Sequence, residues 1–233
     1  MEKLQGGYTL ETGDNAFPLS TDSIALAGFV RMPRDANILD LGSGAGTLGT
    51  LLCARDATCR VTGVEIDESA HRAALNNIAS NGLTDRHRSI CADIRCIPSL
   101  FPAGSFHVCV SNPPYFTGGR QSKRTPTARQ ALLCPMDTLF SAAAHALRYG
   151  GDFFLVHKPD SLAQLCACGK DHQLEAKRLM LLRHRTDSAV SLILMQFRKG
   201  AKPGLCWEEN SLFYPGGTPT DYYRALYHIQ EGS

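Results

Sequence analysis

Strand-like and helix-like segments alternate along most of this chain from residue 37 onward. Runs rich in Val, Ile, Leu and Phe begin near residues 37, 60, 90, 106 and 152, and segments of helical spacing separate most of them. Such alternation predicts right-handed strand–helix–strand units, and hence a parallel sheet covered by helices on both faces. Two more strands, at residues 175–182 and 189–199, have no helix between them and predict an antiparallel hairpin at one edge. We therefore expect an α/β fold built on a mostly parallel sheet of seven strands.

The composition indicates a soluble chain from a reducing compartment. The chain has 233 residues, of which 43% are hydrophobic, and this suffices for one large core. Its nine cysteines include no C-x-x-C pair and no pattern of metal ligands, so we expect no metal. The first 15 residues are polar, and no run approaches the roughly 18 apolar residues of a membrane helix. We expect a cytoplasmic protein with no membrane association and no obligate protein partner, either a monomer or a weak homodimer.

A glycine-rich turn follows the first predicted strand, in the sequence NILDLGSGAG at residues 37–46. Ligands of open α/β sheets bind beyond the carboxyl ends of the strands, and glycines there let a ligand approach the backbone closely. Glu65 ends the second strand about 20 residues later, where a carboxylate accepts hydrogen bonds from ribose hydroxyls. Residues 44–49 also match the G-x-G-x-x-G pattern of dinucleotide-binding proteins, which leaves a nicotinamide cofactor open.

Read from Asp40, the same stretch is D-L-G-S-G-A-G, which resembles motif I of the S-adenosylmethionine (SAM)-dependent methyltransferases. The resemblance implies a Rossmann-like class I methyltransferase fold, with SAM as cofactor and S-adenosyl-L-homocysteine as product. SAM carries a sulfonium and an ammonium group, which a carboxylate at the entrance of the loop suits. In such enzymes an Asp after the third strand accepts a hydrogen bond from the adenine amino group, and Asp93 matches it. The cofactor-binding residues expected in this part of the chain are Asp40, Gly42, Ser43, Gly44, Gly46, Glu65, Ile66, Asp93 and Ile94.

The fourth strand ends in the sequence SNPPYF at residues 111–116. Asn112-Pro113-Pro114-Tyr115 resembles motif IV of the methyltransferases that act on amino groups. An exocyclic amine is a poor nucleophile because its lone pair is delocalised into the ring. The Asn112 side-chain oxygen and the Pro113 carbonyl would accept its two N–H groups and stabilise the charge that develops. Prolines have no N–H and keep the turn rigid, and Tyr115 would stack on a flat substrate. We expect these four residues to be catalytic, with Asn112 also contacting the cofactor.

Three segments together resemble the tRNA1(Val) (adenine(37)-N6)-methyltransferase family: PLSTDSIALAGFV at residues 18–30, SNPPYF, and TPTDYYRALY at residues 218–227. The resemblance implies SAM-dependent methylation of N6 of adenine 37 in valine tRNA, and it places Thr21 and Asp22 over the methionine end of SAM. We expect residues 1–35 to be an N-terminal elaboration that packs over the cofactor site, and residues 36–233 to be the methyltransferase domain. Family members often carry an A-R-H-E-like segment after motif IV, whereas residues 128–131 here are A-R-Q-A.

Between Asp93 and Asp137 the chain contains no acidic residue, although its formal net charge is only +2. The gap predicts a local positive field after the N-P-P-Y motif. With tRNA as the partner, basic side chains here would hold the phosphates that flank the target adenine, which positions the RNA without reading its sequence. The expected RNA contacts are Tyr115, Arg120, Lys123, Arg124 and Arg129.

Other interpretations of the sequence stay open. A protein-glutamine N5-methyltransferase also uses N-P-P-Y on a planar amide, but such enzymes usually carry a larger helical N-terminal domain than residues 1–35 allow. A ribosomal-RNA base N-methyltransferase shares the same motifs. From a different class, a nicotinamide-dependent oxidoreductase would use G-x-G-x-x-G but has no role for N-P-P-Y. A SAM-binding RNA module without activity is disfavoured by the intact Asn112 and Tyr115.

Overall fold

The computed structural model of the chain describes residues 2–3, 7–10, 20–114 and 136–227. The strands are β1 (Glu2–Lys3), β2 (Thr9–Leu10), β3 (Asn37–Leu41), β4 (Arg60–Glu65), β5 (His87–Cys91), β6 (Phe106–Ser111), β7 (Leu147–His157), β8 (Leu174–Arg185), β9 (Val190–Lys199) and β10 (Cys206–Phe213). The helices are α1 (Thr21–Phe29), α2 (Thr47–Arg55), α3 (Glu68–Ser80), α4 (Ile97–Leu100), α5 (Met136–Ala146), α6 (Leu162–Asp171) and α7 (Asp221–Tyr227). Among these described helices, none is long and apolar enough to cross a membrane.

The central sheet has the spatial order β10-β8-β9-β7-β6-β3-β4-β5. In the part of the chain that the structure describes, its pairings are parallel except for the two made by β9, which lies antiparallel between β7 and β8. The predicted α/β class and mostly parallel sheet are therefore confirmed. Because β3, β4, β5 and β6 are parallel neighbours, their carboxyl ends meet at one edge of the sheet, where the glycine turn and the Asn-Pro-Pro turn follow β3 and β6.

Within the described residues the sheet has eight strands, one more than the seven predicted from the sequence. The predicted hairpin is present as β8 and β9, but it does not form the edge, because β10 pairs in parallel with β8. The sequence of β10, CWEENSLF, contains two glutamates and an asparagine, residue types that are depleted in strands. Its burial against the core depends on Leu212, which is 4% exposed. The local sequence therefore did not indicate β10 as a strand, because its stability comes from pairing with β8.

Two hydrophobic clusters cover the two faces of the sheet. Adjacent residues of β3 alternate between them, with Ile38 in one cluster and Leu39 in the other. On the second face, the ring of Phe140 in α5 lies edge-on to Phe153 and Phe197, with centroids 5.3 and 5.1 Å apart. Burial on both faces explains why these strands read as continuous apolar runs in the sequence.

Helix α1 packs against α2 and lies over β7 and β9 on the first face. Its carboxyl end is held by Arg178 of β8, which donates a hydrogen bond to the Phe29 carbonyl at 3.3 Å. The same guanidinium lies 4.2 Å from the centroid of the Phe29 ring. At Gly28 an added Cβ would lie 2.6 Å from Leu226 of α7, so this glycine lets α7 pack closely on α1. The division of the chain at residue 35 stays a prediction.

Helix α2 begins in close contact with the sheet. An added Cβ at Gly49 would lie 2.6 Å from Cε1 of His87 and 3.0 Å from Cγ1 of Val61. His87 is 1% exposed, and burial, with a smaller contribution from the Arg86 guanidinium, lowers its pKa to about 4. The imidazole is therefore neutral and fills the space under the helix. The last glycine of the G-x-G-x-x-G match is accounted for by this helix–strand packing.

We predict that Gly49→Ala lowers the free energy of unfolding by about 1–3 kcal/mol, because the new methyl group overlaps the His87 ring. Urea denaturation would measure the change. Gly216→Ala is the matched control, since an added Cβ there meets nothing within 4 Å. Stabilisation of the Gly49→Ala variant by about 1 kcal/mol, the gain expected from helix propensity alone, would contradict this account.

Candidate active site

The glycine turn after β3 is open on the side that a ligand would approach. Gly42, Gly44 and Gly46 have φ angles of +74°, +54° and +77°, a region that side chains with a Cβ rarely adopt. An added Cβ at Gly42 or Gly44 would meet nothing within 4 Å. The backbone therefore forms a small cradle with free space in front of it, as close approach of a ligand requires.

The cradle is held from behind by β4 and α3. The Gly44 amide donates to Oε2 of Glu65 at 2.8 Å, and the Gly42 amide donates to the Val64 carbonyl at 2.9 Å. Oε1 of Glu65 accepts from the Asp67 amide at 2.8 Å. The Asn77 side chain donates to the Ala45 carbonyl at 3.0 Å. Each Glu65 oxygen keeps a second lone pair, so this carboxylate can orient the turn and still accept from a ribose hydroxyl.

The Asp40 side chain is buried and lies near a second carboxylate, that of Glu65. It is 1% exposed, and burial raises its pKa to about 7, with the Glu65 carboxylate adding to the rise. Its Oδ2 has no hydrogen-bond partner among the described residues, and neither does Oγ of the buried Ser43. Buried polar atoms without partners are costly, and a cationic ligand beside Asp40 would remove that cost. The residues present therefore fit a cofactor that carries positive charge.

The ends of β4 and β5 present one apolar and one acidic side chain. Ile66 is 42% exposed, so its side chain presents an apolar surface that suits an adenine ring packed on it. Asp93 caps the helical turn Ile94–Cys96, and Ile94 is buried beneath it. Both Asp93 oxygens are already engaged by Arg95, through the amide at 2.8 Å and the guanidinium at 2.9 and 2.5 Å. Oδ1 accepts only from the Arg95 amide among the described residues and keeps a second lone pair, so Asp93 can accept from an adenine amino group while it stays bound to Arg95.

The Asn-Pro-Pro turn lies beside the glycine turn because β6 is the neighbour of β3. The Ser111 hydroxyl donates to the Leu41 carbonyl at 2.8 Å, which ties the two strand ends together. Asn112, the next residue, is half-buried, and Pro113 is buried. Nδ2 of the Asn112 side chain donates to Oγ of Ser23 at 3.0 Å. This bond fixes the orientation of the carboxamide and leaves its oxygen without a partner among the described residues.

Helix α1 brings its first turn to the same place. Ser20 caps the helix, its hydroxyl accepting from the Ser23 amide at 3.3 Å. The Thr21 side chain is hydrogen-bonded to that of Tyr227 in α7, and Asp22 lies in the same turn. The first turn of α1 thus contacts the Asn-Pro-Pro turn through Ser23. The placement of Thr21 and Asp22 over the methionine end of SAM stays a prediction. Tyr115, Arg120, Lys123, Arg124 and Arg129 lie outside the described residues.

Comparison with known proteins identifies the family. A family model described as the methyltransferase small domain matches residues 20–164. A Photobacterium profundum protein named tRNA1(Val) (adenine(37)-N6)-methyltransferase is 25% identical over 94% of this chain and 93% of its own length. A protein of the same name from Aeromonas hydrophila is 30% identical over 79% of this chain and 78% of its own length. The chain belongs to the tRNA1(Val) (adenine(37)-N6)-methyltransferase family.

Membership of this family confirms the resemblance drawn from the motifs and makes the chain a SAM-dependent methyltransferase. It also sets aside the oxidoreductase alternative, although the G-x-G-x-x-G pattern is present. A solved structure, a predicted O-methyltransferase, protein Atu636 from Agrobacterium tumefaciens, superposes with a TM-score of 0.75 at 21% identity. The match covers 89% of this chain and 96% of that chain. This likeness supports the fold alone.

Two side chains of the site were not identified from the sequence. Ser23 lies 89 residues before its partner Asn112, and in the sequence it reads as one more polar residue near a helix start. The sequence did not indicate a partner for Asp93, yet Arg95 forms an ion pair with its carboxylate. Arg95 follows Asp93 by two residues, and this short spacing was the one local pattern that could have indicated their ion pair.

Asp40 leads to a prediction about folding and pH. The folded-state pKa of about 7 exceeds the ordinary value of 3.8, so the folded chain keeps a proton that the unfolded chain loses between these values. The free energy of unfolding contributed by this group should therefore fall as the pH rises from about 4 to about 7, and level off above it. Asp40→Asn should remove that slope, and the exposed Asp85→Asn should keep it.

We predict that the same proton weakens SAM binding. Ionised Asp40 attracts a cation and protonated Asp40 does not, so SAM affinity should rise about tenfold between about pH 6 and pH 8. Calorimetric titration of wild type and Asp40→Asn at both pH values would measure this. A pH dependence of equal size in the Asp40→Asn variant would assign the titration to another group.

Proposed function

We propose that the chain transfers a methyl group from SAM to N6 of adenine 37 in valine tRNA. The observation that carries the proposal is the placement of Asn112, whose amide nitrogen is bound to Ser23 while its oxygen is left at the turn beside the glycine cradle. The named activity of the two relatives supports the choice of adenine and of tRNA. S-adenosyl-L-homocysteine would be the second product.

Asn112 and Pro113 would bind the amine. The Asn112 oxygen and the Pro113 carbonyl are two acceptors on a turn that proline holds rigid, and an exocyclic amine has two N–H groups to donate. Accepting both would favour a pyramidal nitrogen and stabilise the positive charge that develops on it. Because the positively charged aminium formed by methyl transfer is strongly acidic, it can lose a proton to water to give the neutral product, and the site needs no general base. Pro114 would hold the turn and Tyr115 would stack on the base.

The residues proposed to hold SAM surround the glycine cradle. Glu65 would accept from the ribose hydroxyls, Ile66 would pack on the adenine, and Asp40 would attract the ammonium group. Ser43, Asp93, Ile94, Thr21 and Asp22 are the further proposed contacts. When bound, SAM supplies an electrophilic methyl group on a sulfonium. The chain contributes the positions of the two reactants, which accounts for a large share of catalysis in such transfers.

The basic segment after the N-P-P-Y motif is proposed to hold the RNA. Arg120, Lys123, Arg124 and Arg129 would contact phosphates on either side of the extruded adenine. We further propose that the protein is cytoplasmic, acts without a metal and is a monomer or a weak homodimer.

The test of the substrate is methyl transfer from tritiated SAM to separate preparations of tRNA, ribosomal RNA and peptide-chain release factor. We expect label in tRNA, released by nuclease digestion as N6-methyladenosine and absent when adenine 37 of valine tRNA is replaced by guanine. Label in release factor would instead favour a protein-glutamine methyltransferase, and label in ribosomal RNA alone would overturn the proposed substrate.

We predict that Asn112→Ala lowers the rate of transfer about a hundredfold to a thousandfold, the cost of removing one preorganised group that stabilises transition-state charge, while SAM still binds. Single-turnover transfer and calorimetric SAM binding would be measured together. The control is Asn76→Ala, an exposed asparagine in α3. A wild-type rate in the Asn112→Ala variant would refute the mechanism.

Ser23→Ala should lower kcat about tenfold, because the carboxamide of Asn112 loses the hydrogen bond that orients it. KM for tRNA and the affinity for SAM should stay within about twofold, and Ser23→Thr should restore part of kcat since it keeps the hydroxyl. A fall in thermal stability with unchanged kcat would show that Ser23 acts only in packing.

A further inference from the structure

A pocket of about 360 Å³ opens at the edge of the sheet opposite the candidate active site. The residues that line it include Arg31, His107, Arg148, Gly150, Asp152 and Arg198. His107 lies near the start of β6, and Asn112 follows the end of that strand. At about 3.3 Å per residue, about 17 Å separate the two along the strand. The pocket is therefore separate from the cofactor site.

The charge of the pocket is positive. Three arginines line it against one aspartate, Asp152, which leaves a net charge of +2 with neutral histidine. The aspartate is already occupied: Arg198 donates to its two oxygens at 2.8 and 3.0 Å, and Gln196 donates at 2.9 Å. Arg31 and Arg148 form no ion pair or side-chain hydrogen bond with any other described residue. Two exposed guanidinium groups are thus left with their full donor capacity.

His107 adds a neutral donor. The Asn37 amide donates to Nδ1 of His107 at 3.0 Å, so Nδ1 is the acceptor and the proton of the neutral ring lies on Nε2. Partial burial lowers the pKa of His107, and the Arg148 cation beside it adds to the effect. The ring is therefore neutral at physiological pH, with an N–H that can donate to an anion.

The backbone of β7 is distorted to form this pocket. Phe106 pairs with Leu147 and Val108 pairs with Asp152, so β7 carries three extra residues between these two pairings. The extra segment contains Arg148 and Gly150, and Gly150 has a φ of +77°. Irregularities in strand pairing can re-aim side chains, and here the extra residues carry Arg148 at the pocket. Tyr149 anchors the bulge through its hydroxyl, which donates to the Gly200 carbonyl at 2.8 Å.

We propose that this pocket binds a phosphate group, held by Arg31, Arg148 and the Nε2 proton of His107. Guanidinium groups match phosphate oxygens in a bidentate geometry, and a neutral imidazole donor adds a further hydrogen bond. The source that fits best is a backbone phosphate of the RNA substrate, because an RNA whose base enters one edge of the sheet can present other phosphates at the opposite edge. That source rests on the proposed function, whereas phosphate binding itself does not.

The first measurement uses the double variant Arg31→Gln/Arg148→Gln and tRNA. The Kd for tRNA should rise about tenfold, and the slope of log K against log salt should shrink by about one to two. Arg72→Gln is the matched control, because Arg72 is an exposed arginine of α3 paired only with Glu68, and it should change neither quantity. SAM affinity should be the same in all variants, since the pocket lies at the other edge.

The second measurement uses inorganic phosphate without RNA. At constant ionic strength, phosphate in place of chloride should raise the melting temperature of the wild type and shift the imidazole NMR signals of His107, and the double variant should lose both effects. Loss of the phosphate response with unchanged tRNA binding would keep the site and assign it to a small phosphorylated molecule. Unchanged tRNA binding together with unchanged phosphate responses in the double variant would overturn the proposal. Failure to methylate tRNA would refute the proposed function and leave this second test intact.

Discussion

Two buried carboxylates at the carboxyl edge of the sheet govern how this molecule folds and what it can bind. Burial raises the pKa of Asp40 to about 7, and repulsion from the Glu65 carboxylate adds to the rise. The negative charge of Glu65 is offset by hydrogen bonds from the backbone amides of Gly44 and Asp67. Asp40 keeps an oxygen without a described partner. The glycine turn depends on the Glu65 carboxylate for its shape, and a cationic cofactor would relieve the cost of burying Asp40.

The amino-terminal helix completes the site from a distant part of the chain. Its first turn reaches Asn112 through the Ser23 hydroxyl, so the carboxamide that we propose to bind the amine is oriented by a residue outside motif IV. The same helix is anchored at its other end by Arg178 in β8. Packing between α1 and the sheet therefore has a direct effect on the geometry proposed for catalysis.

The two edges of the sheet carry different chemistry. At the carboxyl edge the backbone turns away from the strands at glycine and proline, and the Asp40 and Glu65 carboxylates and the Asn112 side-chain oxygen are acceptors that suit a cation and an amine. At the opposite edge, a bulge in β7 gathers Arg148 near Arg31 and His107, and the groups are donors that suit an anion. A methyltransferase that must hold a small cofactor and a long polyanion has a use for both edges.

Much of the fold and of the candidate site could be predicted from the sequence, because those parts depend on local patterns. The alternation of strands and helices predicts a parallel sheet, which places the turns after β3 and β6 at the same end of the strands. They are neighbours because β6 lies beside β3 in the strand order. Asp40, Glu65 and Asn112 were therefore recognisable from short motifs. Strand β10 was not, because its stability comes from pairing with β8 and not from its own residues.

Other features were decided only by the tertiary structure. The bond between Ser23 and Asn112 spans 89 residues, and the pocket of Arg31, His107 and Arg148 draws on three separate segments. The pKa of Asp40 depends on burial, which no motif encodes. The sequence by itself determined the class of fold and the cofactor chemistry, since both follow from residues adjacent in the chain. The tertiary structure decided how those residues are oriented, protonated and partnered, since these depend on contacts between distant segments.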